Sequence, residues 1–248
     1  MIEIRGLRKK LGPKQVLDGV DLDVRTGETV VVMGPSGTGK SVLLKHVLGL
    51  MMPDEGSIVI DDEDIVGRRE RDLNLIRRKF GMVFQGAALF DSMTVGENVG
   101  LALTEHTDME PEQIRDRVRE RLEWVGLKNV ESMKPASLSG GMRKRVGVAR
   151  AIAMDPQFIL YDEPTTGLDP IMADVIDRLI RDLQRKLGAT SMVVTHDLKS
   201  AFAVGDRIAM LLNGKIIYSG TTEETRTTSD PVVRQFLEGT SEGPIQPV

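Results

Sequence analysis

The chain has 248 residues and no cysteine, and its aromatic residues amount to one Trp, two Tyr and six Phe. Without thiols there is no disulfide, no thiolate nucleophile and no cysteine-ligated zinc, which fits a reducing compartment. No apolar run approaches the roughly 18 residues that span a bilayer, and no charged-then-apolar signal segment opens the chain. A soluble, cytoplasmic protein is expected, one that reaches any membrane through a partner. A basic excess is missing too: 37 acidic side chains face 33 basic ones, a formal charge of -4, which argues against general nucleic-acid binding. What remains, 40% hydrophobic and 28% charged, is a globular composition whose length suits one large domain or two small ones.

Short strands are expected from Ile2 to Val24, where apolar residues alternate with charges around a turn at Gly12-Pro13. Thr29-Val30-Val31-Val32-Met33 is a continuous apolar run, as for a strand buried on both faces. A glycine-rich loop and a helix faced by Val42, Leu43, Val47, Leu48 and Leu50 follow, ending before Pro53. Strand, glycine loop and helix in that order open a parallel α/β unit. The middle is different: Pro111 begins a helix with the stripe Ile114, Val118, Leu122, Val125, and Gly126 ends it. A second helix is expected over Ser139–Met154. Strand signals return at 158–161 and 191–195 and in a hairpin across Asn213-Gly214. A helical block therefore interrupts an α/β core.

Gly34-Pro35-Ser36-Gly37-Thr38-Gly39-Lys40-Ser41 fits G-x-x-x-x-G-K-[ST], a loop whose glycines let successive N–H groups turn inward on phosphates at a helix N-terminus. Lys40 supplies positive charge for β and γ phosphates, and the Ser41 hydroxyl is a hard ligand suited to Mg²⁺. Phe158 to Tyr161 delivers Asp162 to the carboxyl end of a strand, where ligands bind in open α/β sheets. Glu163, one position on, points differently and can polarise a water for in-line attack. Leu138-Ser139-Gly140-Gly141-Met142 is another glycine turn opening a helix, which suits an anion and is equally well explained as a plain helix cap. With the P-loop already serving one nucleotide, this loop is free to serve the nucleotide of a second copy placed head to tail.

Taken together these motifs resemble the ATP-binding cassette (ABC) ATPase family over essentially the whole chain. The pattern runs through the P-loop, the Q-loop Gln85, the signature Leu138 to Met142, the Walker B pair Asp162 and Glu163, the D-loop Gly167-Leu168-Asp169-Pro170, and His196 after a strand. The resemblance implies a RecA-like α/β P-loop core with an N-terminal antiparallel β subdomain and an inserted α-helical subdomain. The cassette would occupy 1–236, the helical insertion about 88–156, and an irregular tail 237–248. It further implies ATP and Mg²⁺ as cofactors, with Ser41, Gln85 and Asp162 as the metal's ligands. Glu163 would be the catalytic base, His196 a γ-phosphate contact, Gln85 a sensor of Mg²⁺ and the membrane partner, and Asp169 a link between the two sites of a dimer. Residues 34–41 and Val42 would bind nucleotide on one copy, and Ser139, Gly140 and Gly141 on the other. One departure stands out: the family commonly stacks adenine on an aromatic residue near Leu11, and Arg8 to Gly12 contains none. Adenine is then expected on Leu11 or Val16, with less stacking energy.

The stretch Phe84 to Val95, the continuation Gly141 to Val146 and the ending Glu242-Gly243-Pro244-Ile245 are similar to the lipid-trafficking Mla/Mce class of cassettes. That resemblance implies two cassette subunits, integral-membrane permease subunits, an Mce-type lipid-binding protein beyond the membrane, and a tail that reaches the partner cassette. Location would be peripheral, on the cytoplasmic face of the membrane. A cassette for another solute, or a soluble cassette acting on a non-membrane partner, are the alternatives. The basic stretch Arg68–Lys79 reads as a solvated helix face, or as a contact for anionic headgroups or a permease helix, and Arg143-Lys144-Arg145 need not mean nucleic acid in an acidic chain.

Overall fold

The structure, a computed structural model, describes residues 1–245. Its first half contains β1 (Ile2–Leu11), β2 (Lys14–Val24), β3 (Thr29–Met33), α1 (Lys40–Val47), β4 (Glu55–Ile60), β5 (Glu63–Asp64), α2 (Glu70–Arg77), β6 (Phe80–Val83), α3 (Val95–His106) and α4 (Pro111–Trp124). After a 3-10 turn at Pro135–Ser137 come α5 (Gly140–Ala151), β7 (Phe158–Asp162), α6 (Pro170–Leu187), β8 (Thr190–Val194), α7 (Leu198–Val204), β9 (Arg207–Leu212), β10 (Lys215–Thr221), α8 (Thr222–Thr227) and α9 (Pro231–Glu238). The chain forms two compact units: Met1–Leu73 with everything from Thr190 onward, and Asn74–Ala189.

In the first unit β1 and β2 form an antiparallel hairpin about Gly12 (φ 58°), and β4 and β5 extend it in the order β2-β1-β4-β5. The alternation read in the sequence buries Ile2, Ile4, Leu7, Val20 and Leu22 on one face. In a second layer of strands, β3 runs parallel to both β8 and β9, and every residue of β3 and β8 is buried. That is why both sequences are unbroken apolar runs. β9 turns into antiparallel β10 across Asn213 and Gly214, both with positive φ (48° and 75°), the backbone a two-residue hairpin demands. Arg207 at the start of β9 grips Glu28 with two hydrogen bonds, Nε to Oε1 at 2.8 Å and Nη2 to Oε2 at 3.0 Å.

In the second unit β6 pairs in parallel with β7, and Phe80 stacks on Phe158 at 4.8 Å. Thr94 and Glu97 form a capping box that starts α3. Pro111 opens α4, and Gly126 turns the chain at φ 71°. Val99, Leu103, Val118, Leu122 and Val146 are buried among the helices α3, α4 and α5. At Gly81 of β6 a Cβ would lie 2.2 Å from the Ala151 carbonyl oxygen, so this glycine sets how closely the end of α5 approaches the strand. Arg121, 2% exposed, stacks on Trp124 and pairs with Asp155 at 2.6 Å. Asp169 caps α6, Pro170 is its first residue and Gly188 closes it in the left-handed conformation.

The helix expected over Ser139–Met154 is shorter at both ends. Ser139 is its cap rather than a helical residue, and Ile152 (φ -99°) leaves the helical region before Asp155 turns left-handed. Beyond α9 the chain bends without regular structure to Ile245. There the N–H donates to Gln235 Oε1 at 2.6 Å, and the carbonyl accepts from Gln235 Nε2 at 3.0 Å. Residues 246–248 of the expected tail lie outside the described residues. No described helix is long and apolar enough to cross a membrane.

Candidate functional site

The loop from Gly34 to Gly39 leaves the carboxyl end of β3 and enters α1, and its path depends on missing side chains. A Cβ on Gly34 would sit 2.2 Å from the Leu211 carbonyl oxygen. Gly39, the N-cap of α1, has φ 101°, and a Cβ there would meet Val16 Cγ1 at 2.8 Å. With the first turn of α1 (Lys40, Ser41, Val42) free of acidic residues, the helix presents an uncompensated positive end to the loop. Lys40 is 6% exposed, and its Nζ donates to the carbonyls of Gly34 (2.8 Å) and Pro35 (3.0 Å). Thr38 Oγ1 closes the loop by donating to the Pro35 carbonyl at 2.9 Å. A cradle with no room for a side chain at Gly34 or Gly39, and with an ammonium at its floor, fits a polyphosphate.

Beside the cradle lies a recess of about 620 Å³ whose walls include Val16, Pro35, Ser36, Gly37, Pro244 and Ile245. Val16 is buried in that wall, whereas Leu11 is 40% exposed and stands outside it. Among the described residues the recess carries no aromatic side chain, and Lys14, Gln15, Thr38 and Asn213 line it beside the apolar residues. His196 is exposed just past the carboxyl end of β8, and β8 is the parallel neighbour of β3. Within this unit both P-loop and His196 therefore occupy the sheet's carboxyl edge. His196 also lines a cleft of about 390 Å³ with Gln235, Phe236 and Ile245. His46 is structural: it is fully buried, its Nδ1 lies 2.7 Å from the Val42 carbonyl, and burial lowers its pKa.

The second unit gathers the acids. Asp162 ends the buried strand β7, and Gln85 lies two residues past β6, the parallel partner of β7. Glu163 is 9% exposed and its backbone is left-handed, φ 49°. Thr166 Oγ1 donates to its Oε2 at 3.0 Å, and the Thr166 N–H reaches its carbonyl at 3.3 Å. The Gln85 side chain is exposed, and the loop after it is also left-handed, at Ala87 (φ 62°) and Ala88 (φ 48°).

The signature turn caps α5. Ser139 Oγ accepts from the Met142 N–H at 3.2 Å. Gly140 faces open space, and a Cβ on Gly141 would meet Met172 Cε at 2.6 Å. Asp169 accepts from the N–H groups of Ile171 (3.0 Å) and Met172 (3.1 Å), so its carboxylate caps α6. Its neighbour Gly167 has φ 79°.

Sequence reasoning missed the groups that hold these loops. Lys144 is 7% exposed, and its Nζ donates to the carbonyl of Gln85 and, at 3.3 Å, to that of Glu163. Burial pulls its pKa down while Glu163 and Asp162 push it up. Arg150 donates to the carbonyls of Ala87 (2.8 Å) and Ala88 (2.6 Å). Arg143 donates to the Leu138 carbonyl at 2.6 Å, and Arg145 to that of Gly126 at 3.1 Å. The basic triplet is spent on main-chain carbonyls. Lys144 stands three and four residues before Gly147 and Val148, on the face of α5 that the fold buries.

The family model described as ABC transporter matches residues 17–166. The chain is 46% identical over 98% of its length to the probable ribonucleotide transport ATP-binding protein mkl of Mycobacterium leprae, covering 70% of that protein. It is 41% identical over 99% of its length to the intermembrane phospholipid transport system ATP-binding protein MlaF of Haemophilus influenzae, covering 93% of it. Among solved structures, it resembles a dimeric post-hydrolysis state of the cassette MJ0796 bound to ADP and Pi. The TM-score is 0.83 at 36% identity, over 90% of this chain and 99% of that one. The fold class implied by the motifs is the one observed, and this chain belongs to the ABC transporter family as one of its ATP-hydrolysing cassettes.

Proposed function

We propose that the chain drives lipid trafficking across a cell envelope, as the ATPase subunit of a complex with integral-membrane permease subunits and an Mce-type lipid-binding protein. It lies on the cytoplasmic face of the membrane, and two copies pair head to tail. The observation that carries the lipid reading is the similarity to MlaF along nearly the full length of both chains. The mycobacterial relatives described as ribonucleotide transport proteins favour a second reading, a cassette serving a polar solute.

In the proposed site, residues 34–41 and Val42 wrap the phosphates, and Lys40 leaves its loop carbonyls for the β and γ oxygens. Ser41, Asp162 and Gln85 would hold a bound Mg²⁺, which would neutralise charge on the phosphate oxygens. Glu163 orients the attacking water and accepts its proton. His196 contacts the γ-phosphate. Ser139, Gly140 and Gly141 meet the nucleotide of the second copy, and Asp169 links the two sites. Adenine rests in the recess walled by Val16. No nucleic acid takes part.

Glu163→Gln tests the chemistry: ATP binding stays within about threefold, and turnover falls by at least ~10²-fold, the scale expected when a general base is lost. Turnover near wild type would remove Glu163 from the mechanism. Mass spectrometry of the complex purified with its membrane partner separates the two substrate readings. Co-purified phospholipid supports the first, and ribonucleotide beyond the bound ATP supports the second.

A further inference from the structure

The hydrolytic carboxylate is held in an unfavourable backbone shape. Glu163 has neither the missing Cβ of glycine nor the short side chain of Asn, yet its φ is +49°, a conformation in which Cβ crowds the following carbonyl oxygen. Such strain persists only where the surroundings over-determine it. Two groups do so here. Thr166 binds both the side chain and the carbonyl of Glu163, and the Lys144 ammonium binds that carbonyl and the carbonyl of Gln85. Lys144 belongs to α5, one turn past the Ser139 cap. The next turns of the same helix hold the rest of the Q-loop, through Gly147 packed on Ala87 and Arg150 on the Ala87 and Ala88 carbonyls. One buried cation therefore joins three segments of this unit: the helix behind the signature turn, the Q-loop and the residue after Asp162.

We propose that Lys144 is a positioning residue for hydrolysis, its buried ammonium fixing the main chain at Glu163 and Gln85 so that the placement of the signature helix sets the placement of the catalytic carboxylate. The proposal rests on Glu163 acting as the base. An ammonium serves better than a neutral donor because charge-assisted bonds to carbonyls are stronger and because a single Nζ can donate to both at once. When the ammonium is lost, two carbonyls lose a donor and Glu163 is free to relax toward ordinary φ, carrying its carboxylate away from the water it orients. Misplacement of about 1 Å is enough to cost ~10²-fold in rate.

Lys144→Met keeps the aliphatic stem and removes the charge. Measured on the full chain with its membrane partner, kcat should fall ~10- to 100-fold while KM and the Kd for ATP stay within about threefold. Lys144→Arg, which keeps a cation, should recover part of the loss. Combined with Glu163→Gln, Lys144→Met should slow the residual rate no further. If Lys144→Met is too poorly folded to assay, Lys144→Gln, a neutral donor of shorter reach, reads the same split. The proposal is overturned if kcat stays within twofold of wild type, if ATP affinity falls in step with kcat, if Lys144→Arg is no better than Lys144→Met, or if the effects multiply with those of Glu163→Gln. The Glu163→Gln control separates the two ideas: should it alone keep turnover, the base assignment fails and not the contact at Lys144.

Discussion

In the unit that carries the P-loop, the chain is shaped by omission. Gly34 and Gly39 stand where a Cβ would run into the Leu211 carbonyl or Val16, and the loop's own carbonyls hold Lys40. In the unit that carries Gln85, the signature and the acidic pair, the left-handed residues Glu163, Ala87 and Ala88 are not glycines, and the side chains Lys144 and Arg150 hold their carbonyls. A phosphate cradle needs bare N–H groups and room, which glycine supplies. A carboxylate that must be aimed needs a side chain on a strained backbone, and the strain is then balanced from outside by buried donors.

If that contrast holds, the two units should fail differently. The largest effect is expected in the cradle. Gly34→Ala forces a Cβ against backbone that cannot move cheaply, overpacking worth about 3 kcal/mol. ATP affinity should drop by at least ~10²-fold in equilibrium binding, before any question of rate arises. In the other unit, Arg150→Met should spare ATP binding and lower kcat by about tenfold as the Ala87 and Ala88 turn loosens, a split that steady-state kinetics reads directly. An equal loss of affinity in both variants would erase the distinction.

The smallest effect probes the first unit away from its loop. Burial raises the Glu28 pKa, but the Arg207 pair and the Arg25 N–H outweigh it, and the carboxyl ends below its ordinary 4.5. A depressed carboxylate pKa gives stability that is present above the unfolded value and lost as pH falls through the folded one. Glu28→Gln should therefore cost about 1.5 kcal/mol at neutral pH, the low end of the scale for hydrogen bonds to a charged group, and flatten the decline of stability below pH ~4.5 seen in urea melts. ATP affinity should not change.

The same contrast explains what could be read in advance. The buried strands β3, β7 and β8, the hairpin at Asn213-Gly214 and the phosphate loop all carry their reasons in local residue types. So does α6, whose start is marked by Asp169-Pro170 and whose end is marked by Gly188. Lys144 and Arg150 were not legible as anchors. A lysine among arginines has the composition of a solvated surface, and only the fold reveals that α5 turns this side of the helix inward. Asp169 shows the reverse case, a residue singled out for a link across a dimer whose carboxylate, within its own unit, caps a helix.

The most direct test of the account is whether ATP joins two of these cassettes when hydrolysis is blocked. Sedimentation velocity of the Glu163→Gln chain, alone and with its membrane partner, should show a dimer with ATP and Mg²⁺ that disperses with ADP. A species that stays monomeric in ATP under both conditions, while still binding the nucleotide, would contradict it.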